Sequence, residues 1–228
     1  MKWMIGLLLG CGLLGAGCTA SESPAGPTRG ESSTARYRVT FEATWSAATH
    51  PVDFPPGAHF SALVGATHGA SVTFWRDGAP ASDGIRDMAE RGRTTPLDRE
   101  VTAAIDAGTA EHLLIGGAIG QSPGSVALTF DIGQAFPLVT LVSMIAPSPD
   151  WFVGVSRLPL LENGRWVPQR RVDLDPWDAG TDSGSTFTSP DRVTSPRQPV
   201  FRILTEPLSP GGRVTPLGTF AFTRLSDE

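Results

Sequence analysis

The chain has 228 residues, 40% of them hydrophobic, with 18 Lys and Arg against 23 Asp and Glu for a net charge of −5. That length suffices for one ordinary domain with a substantial core. The acidic balance, with no basic patch, argues against nucleic acid as a partner.

Met1-Lys2-Trp3-Met4 precedes an apolar run over 5–14 that is too short to span a bilayer, and small residues follow. This order predicts a secretory signal. Gly15-Ala16-Gly17-Cys18 resembles the bacterial lipoprotein cleavage box, which implies a signal peptide over 1–17 and an acylated, palmitate-type lipid anchor on Cys18. The box prefers Leu three residues before the cysteine, where this chain has Gly15. Leu8-Leu9-Gly10-Cys11 fits that local pattern better but would leave only a few apolar residues. The alternative is an ordinary cleaved signal of a soluble exported protein. Cys11 and Cys18 are the only cysteines, so an acylated Cys18 leaves no disulfide, and the fold must rest on its core and any metal. Residues 18–34, rich in Ser, Pro, Gly, Glu and Thr, read as a flexible tether, with the domain over 35–228.

From 36 to 45 the chain alternates strictly. Tyr37, Val39, Phe41, Ala43 and Trp45 share one face, and Arg38, Thr40, Glu42 and Thr44 the other. A period of two predicts a half-buried strand. Further strands are predicted over 60–65, 71–75, 112–115, 125–132, 138–144, 152–158, 165–172, 200–204 and 219–225. Glu162-Asn163-Gly164 suggests a hairpin turn. A helix over 83–91 places Ile85, Met88 and Ala89 together and stops at Gly92. A second, over 96–107, has Thr95 as cap, Pro96 at its first position and Asp98 completing a capping box. Leu97, Val101, Ala104 and Ile105 form its apolar stripe, and Gly108 ends it. The pattern predicts a mostly β fold: an antiparallel β-sandwich with two short helices in a connecting segment.

Two loops carry the chemistry, Ala146-Pro147-Ser148-Pro149-Asp150-Trp151 and Asp178-Ala179-Gly180-Thr181-Asp182-Ser183-Gly184. Pro147 and Pro149 stiffen the first, and Gly180 and Gly184 permit turns in the second. Clustered carboxylates repel by about 4 kcal/mol per pair at 4 Å near a protein surface. A hard cation such as calcium relieves that repulsion, and an all-oxygen donor set suits it. The competing interpretation is that Asp150, Asp178 and Asp182 are solvated turn residues. Asp173 and Asp175 lie nearby as rim residues.

These segments resemble the spondin amino-terminal domain family. The resemblance runs through 37–45, His50-Pro51 with Phe54-Pro55, His59-Phe60-Ser61, and Gly65-Ala66-Thr67-His68. It continues through Phe74-Trp75 with Gly78, Ala81-Ser82-Asp83-Gly84, and Ala89-Glu90-Arg91-Gly92, and ends on the two acidic loops. It implies an antiparallel β-sandwich that binds calcium, with Asp150, Asp178 and Asp182 as ligands. It also implies a role in matrix and cell adhesion for the animal proteins, which carry thrombospondin repeats that this chain lacks.

Other motifs compete for a function. Gly120-Gln121-Ser122-Pro123-Gly124 fits the nucleophile-elbow expression, but Pro123 has no N–H to give an oxyanion hole. His50, His59, His68 and His112 show no short zinc-ligand spacing, which favours structural hydrogen bonding. Trp45 belongs to an inward row, while Trp151 and Trp177 flank the acidic loops and more readily lock them than stack a ligand. Paired carboxylates can hydrolyse glycosides, which needs a raised pKa that a shared cation would suppress.

The expectation is a calcium-binding adhesion module, not an enzyme, anchored by lipid to the cell envelope. Thr19 following the cysteine points to the outer membrane, and the partner would be an envelope or extracellular protein or glycan. An exported hydrolase using the acidic cluster or Ser122 is the alternative.

Overall fold

The computed structural model describes residues 32–226. The predicted signal peptide, Cys18 and most of the tether lie outside them.

Strand β1 (Thr34–Ala43) has the burial that its alternation predicts, with Tyr37, Val39 and Phe41 fully enclosed. It pairs with β5 (Gly124–Gly133) along its whole length and with β13 (Gly218–Arg224) from Tyr37 to Ala43. With β10 (Gln169–Asp173) they make a four-stranded sheet in the order β10-β13-β1-β5. The larger sheet contains β3 (Val64–His68), β4 (Ala110–Ile115), β6 (Leu138–Ala146), β7 (Trp151–Pro159), β11 (Trp177–Asp178) and β12 (Phe201–Arg202). Their order is β12-β11-β7-β6-β3-β4, with β2 (His59–Phe60) beside β6, and every pairing in both sheets is antiparallel. Phe41, Phe60, Phe220, Leu141 and Val153 fill the space between the sheets. Phe41 meets Phe60 and Phe220 edge-on at 4.8 and 5.2 Å, the arrangement aromatic quadrupoles favour.

Helices α1 (Asp83–Arg91) and α2 (Leu97–Asp106) sit in the connection between β3 and β4, as predicted. They do more than connect. Ile85, Met88, Leu97 and Val101 pack on Val64, Ala66, Val142 and Phe152, forming a second core on the outer face of the larger sheet. That explains why β3 and β6 are buried on both faces. Ser82 caps α1 by accepting the Ile85 N–H at 3.1 Å, and Gly92 ends it at φ 63°. Glu100 reaches from α2 to accept from Gly84 N and the Ser82 hydroxyl, both at 2.7 Å. A carboxylate there complements the positive end of α1.

Several local expectations need correction. Thr95 does not cap α2: its hydroxyl donates to Asp98 at 2.6 Å, and Pro96 occupies the cap position. Residues 71–75 are not a strand, because Arg157 pins this stretch through the Ala70 and Val72 carbonyls and the Thr73 hydroxyl. The run predicted over 165–172 breaks at Pro168 into β9 (Arg165–Trp166) and β10. β8 (Leu161–Glu162) pairs with β9 around the predicted hairpin, with Asn163 and Gly164 both at positive φ. Among the described residues no helix is long and apolar enough to cross a membrane.

Candidate cation site at the loop end

The two acidic loops meet at the end of the sandwich where β1 finishes. Asp178 lies in β11, directly across from Trp151 at the start of β7, and the Ala179 N–H donates to the Asp150 carbonyl at 3.1 Å. Gly184 allows the loops to touch, since a Cβ there would stand 2.7 Å from the Pro149 ring. Gly180 adopts φ +72°, and a Cβ on it would fall 2.3 Å from the Gln198 carbonyl oxygen.

All three aspartates are buried, at 0% exposure for Asp150 and 8% for Asp178 and for Asp182. Asp150 Oδ2 accepts from Thr181 N at 2.7 Å, the Thr181 hydroxyl at 3.1 Å and Asp182 N at 3.0 Å. Its other oxygen, Oδ1, is buried and has no hydrogen-bond partner among the described residues. Asp178 accepts from Gly180 N and Asp182 from Gly184 N, each at 2.7 Å. The second oxygen of Asp182 holds Arg192 N at 2.6 Å.

Burial raises the pKa of Asp150, against its three hydrogen bonds, and the Asp182 charge adds to the rise. Burial, and next the Asp150 charge, pushes Asp178 up to about 7. The structure thus brings Asp150, Asp178 and Asp182 within electrostatic reach of one another. It does not gather them into a ready-made centre: among the described residues no three His, Cys, Asp or Glu side chains converge on one point. Asp182 is turned instead to clasp the loop it begins.

The residues fit a hard cation at Asp150 and Asp178. A buried carboxylate oxygen with no donor, beside a second buried carboxylate, is costly unless a proton or a cation compensates it. Sequence inspection missed Thr181 as the residue holding Asp150, and Arg192 as the partner of Asp182. The repeated Asp-x-Gly spacing at 178–180 and 182–184 was the available signal, since an aspartate bonding the N–H two residues on makes an Asx turn.

Trp151 is buried and packs against Phe187 at 5.4 Å, which in turn meets Trp45 at 5.5 Å, so an aromatic chain ties the site to the core. Above the carboxylates opens a cleft of about 300 Å³ lined by Trp151, Gln198, Phe201 and Glu206.

The competing motifs take structural places. Ser122 is 6% exposed, and its hydroxyl donates to the Trp45 carbonyl at 2.7 Å, so its proton is committed to the backbone and not to a base. The histidines are engaged separately. His50 meets Thr49 and Thr215, His59 meets Gly57, and His68 meets Gly69 and Thr140. His112 stands 3.8 Å from Glu111, and burial lowers the pKa of His50 and His68.

Comparison with known proteins agrees with this architecture. The chain is 38% identical to Spondin-2 of Homo sapiens over 224 residues, covering 94% of this chain and 65% of that protein. It is 34% identical to Spondin-1 of Rattus norvegicus over 210 residues, covering 85% of this chain and 26% of that protein. The chain therefore spans less than two thirds of the length of either relative. The family model Spondin_N matches residues 35–211, and the chain belongs to that family.

Proposed function

We propose that this domain is a non-catalytic, extracytoplasmic binding module whose loop end holds one calcium ion. The observation that carries the reading is Asp150 Oδ1, buried, without a donor, and next to a second buried carboxylate. Asp150 and Asp178 would hold the ion. Asp182 adjoins it, since each of its oxygens accepts one N–H and keeps a second lone pair. The ion would supply the positive charge that these acids lack and would join the two loops. An acidic group on an envelope or extracellular protein or glycan would then dock over the cleft. We propose further that a lipid on Cys18 holds the module at the cell envelope, on the periplasmic or the outer face of the outer membrane.

Thermal unfolding of the exported chain with calcium, magnesium and chelator tests the cation. Calcium at a hundred times its dissociation constant adds about 2.7 kcal/mol of stability. A midpoint indifferent to all three conditions overturns the site. Labelling with a fatty acid that disappears in Cys18→Ser tests the anchor, and labelling that persists in that variant refutes it.

A further inference from the structure

The side of the sandwich opens where β10 gives way to β11. Leu174 still exchanges backbone hydrogen bonds with Leu217 and Gly218 in the small sheet, whereas Trp177 already pairs with Phe152 in the large one. The chain between them crosses from one layer to the other. β11 consequently flanks β7 only at Trp151 and Phe152. The rest of β7 faces a groove of about 430 Å³, within the range of small-molecule sites.

Val155, Leu158 and Val172 give the groove an apolar floor, and the partly exposed Trp177 ring stands beside it. The facing wall, Trp75-Arg76-Asp77, is fixed in place. The Ser156 hydroxyl donates to the Trp75 carbonyl. Arg157, held at φ 55°, ties the chain leading to that wall through the Ala70 and Val72 carbonyls, each at 2.9 Å. Trp75 meets Trp177 edge-on at 5.2 Å, and its buried indole N–H has no acceptor among the described residues.

At the rim, Arg76, Asp77 and Asp173 are exposed, and their side chains have no hydrogen-bond or ion-pair partner among the described residues. Asp175 is bound to Arg202 at 2.9 Å. The rim therefore carries both signs, one free guanidinium against two free carboxylates, and this small excess selects neither a polyanion nor a polycation. Carboxylates beside a guanidinium suit a ligand whose groups both donate and accept, as hydroxyls do. The apolar floor and the indole suit a ligand with one C–H face. A pyranose ring has both features.

We propose that this groove binds a neutral sugar ring of a glycan, with its C–H face on Trp177 and its hydroxyls on Asp173, Asp77 and Arg76. Successive strand residues point to opposite faces, so Trp177 and Asp178 serve different sides of β11. The sugar site therefore stands without the cation.

The test titrates the exported chain with maltohexaose, cellohexaose and mannohexaose, followed by tryptophan fluorescence and calorimetry. At least one of them binds, with the same affinity in low and high salt and in chelator and calcium. Asp173→Ala and Arg76→Ala each weaken it about tenfold, as loss of a hydrogen bond to a charged group should, and leave the unfolding midpoint unchanged. Asp178→Asn leaves sugar affinity intact, which separates this site from the cation site. Failure of all three sugars to bind overturns the assignment, as does binding indifferent to both rim substitutions. Binding of heparin or polylysine that collapses with salt would make the partner ionic and also overturn it.

Discussion

Replacing Asp178 with asparagine preserves an oxygen that can accept the Gly180 N–H, now held at 2.7 Å, and removes one buried charge. Burial and the neighbouring Asp150 raise the Asp178 carboxyl from 3.8 to about 7. The unfolded chain restores the lower value. In metal-free protein, the stability contributed by Asp178 is thus fully present below pH 3.8 and is lost as pH climbs through 7. Each pH interval of one between those limits costs about 1.4 kcal/mol, so the loss reaches about 4 kcal/mol at pH 8 and about 2 kcal/mol at pH 5. An asparagine in that place carries no such penalty. Urea unfolding in chelator should find Asp178→Asn more stable than the parent, with a gap that grows from about 2 to about 4 kcal/mol between these pH values. Calcium at a hundred times its dissociation constant should narrow the gap at pH 8 by about 2.7 kcal/mol, because only the parent gains from it. A gap that stays constant with pH, or a variant less stable than the parent in chelator at both values, refutes the reasoning.

Gly180→Ala meets two obstacles, a φ of +72° and the Gln198 carbonyl oxygen at 2.3 Å from the new Cβ. It should lower stability by at least about 2 kcal/mol in urea unfolding; an unchanged midpoint would mean that the segment near Gln198 yields freely. Ser122→Ala leaves the Trp45 carbonyl without its donor in a buried place and should cost about 1–3 kcal/mol in thermal unfolding. Hydrolysis of ester, peptide or glycoside substrates that vanishes with the same substitution would instead support an exported hydrolase.

The sandwich was legible because its long strands advertise themselves. Tyr37, Val39 and Phe41 alternate with Arg38, Thr40 and Glu42, and a single buried face follows from that row alone. The apolar stripes of both helices were equally visible. A stripe says that a helix face is covered, not what covers it, so the second core on Val64, Val142 and Phe152 could not be read in advance. β11 has two residues and no period, yet it carries Asp178. The acidic loops announced a candidate site through their spacing. The orientation of Asp182 depends on Arg192, ten residues on, whose backbone has no chemical signature in the sequence. The strap that ends at Trp75 looked like a strand because Val72, Phe74 and Trp75 are strand-forming residues. A side chain on another element, Arg157, decides its path.

The central placement of β1 has a mechanical consequence. Its first residue, Thr34, and the loop end near Trp45 lie at opposite extremes of one strand, which is laddered on both sides. A partner held at the loops while the amino-terminal side is pulled would load β1 lengthwise, in shear. Its rungs to β5 and β13 would then share the force together, whereas a crosswise pull would peel them one after another. A module built this way should resist tension best along the axis on which attachment to a surface would apply it.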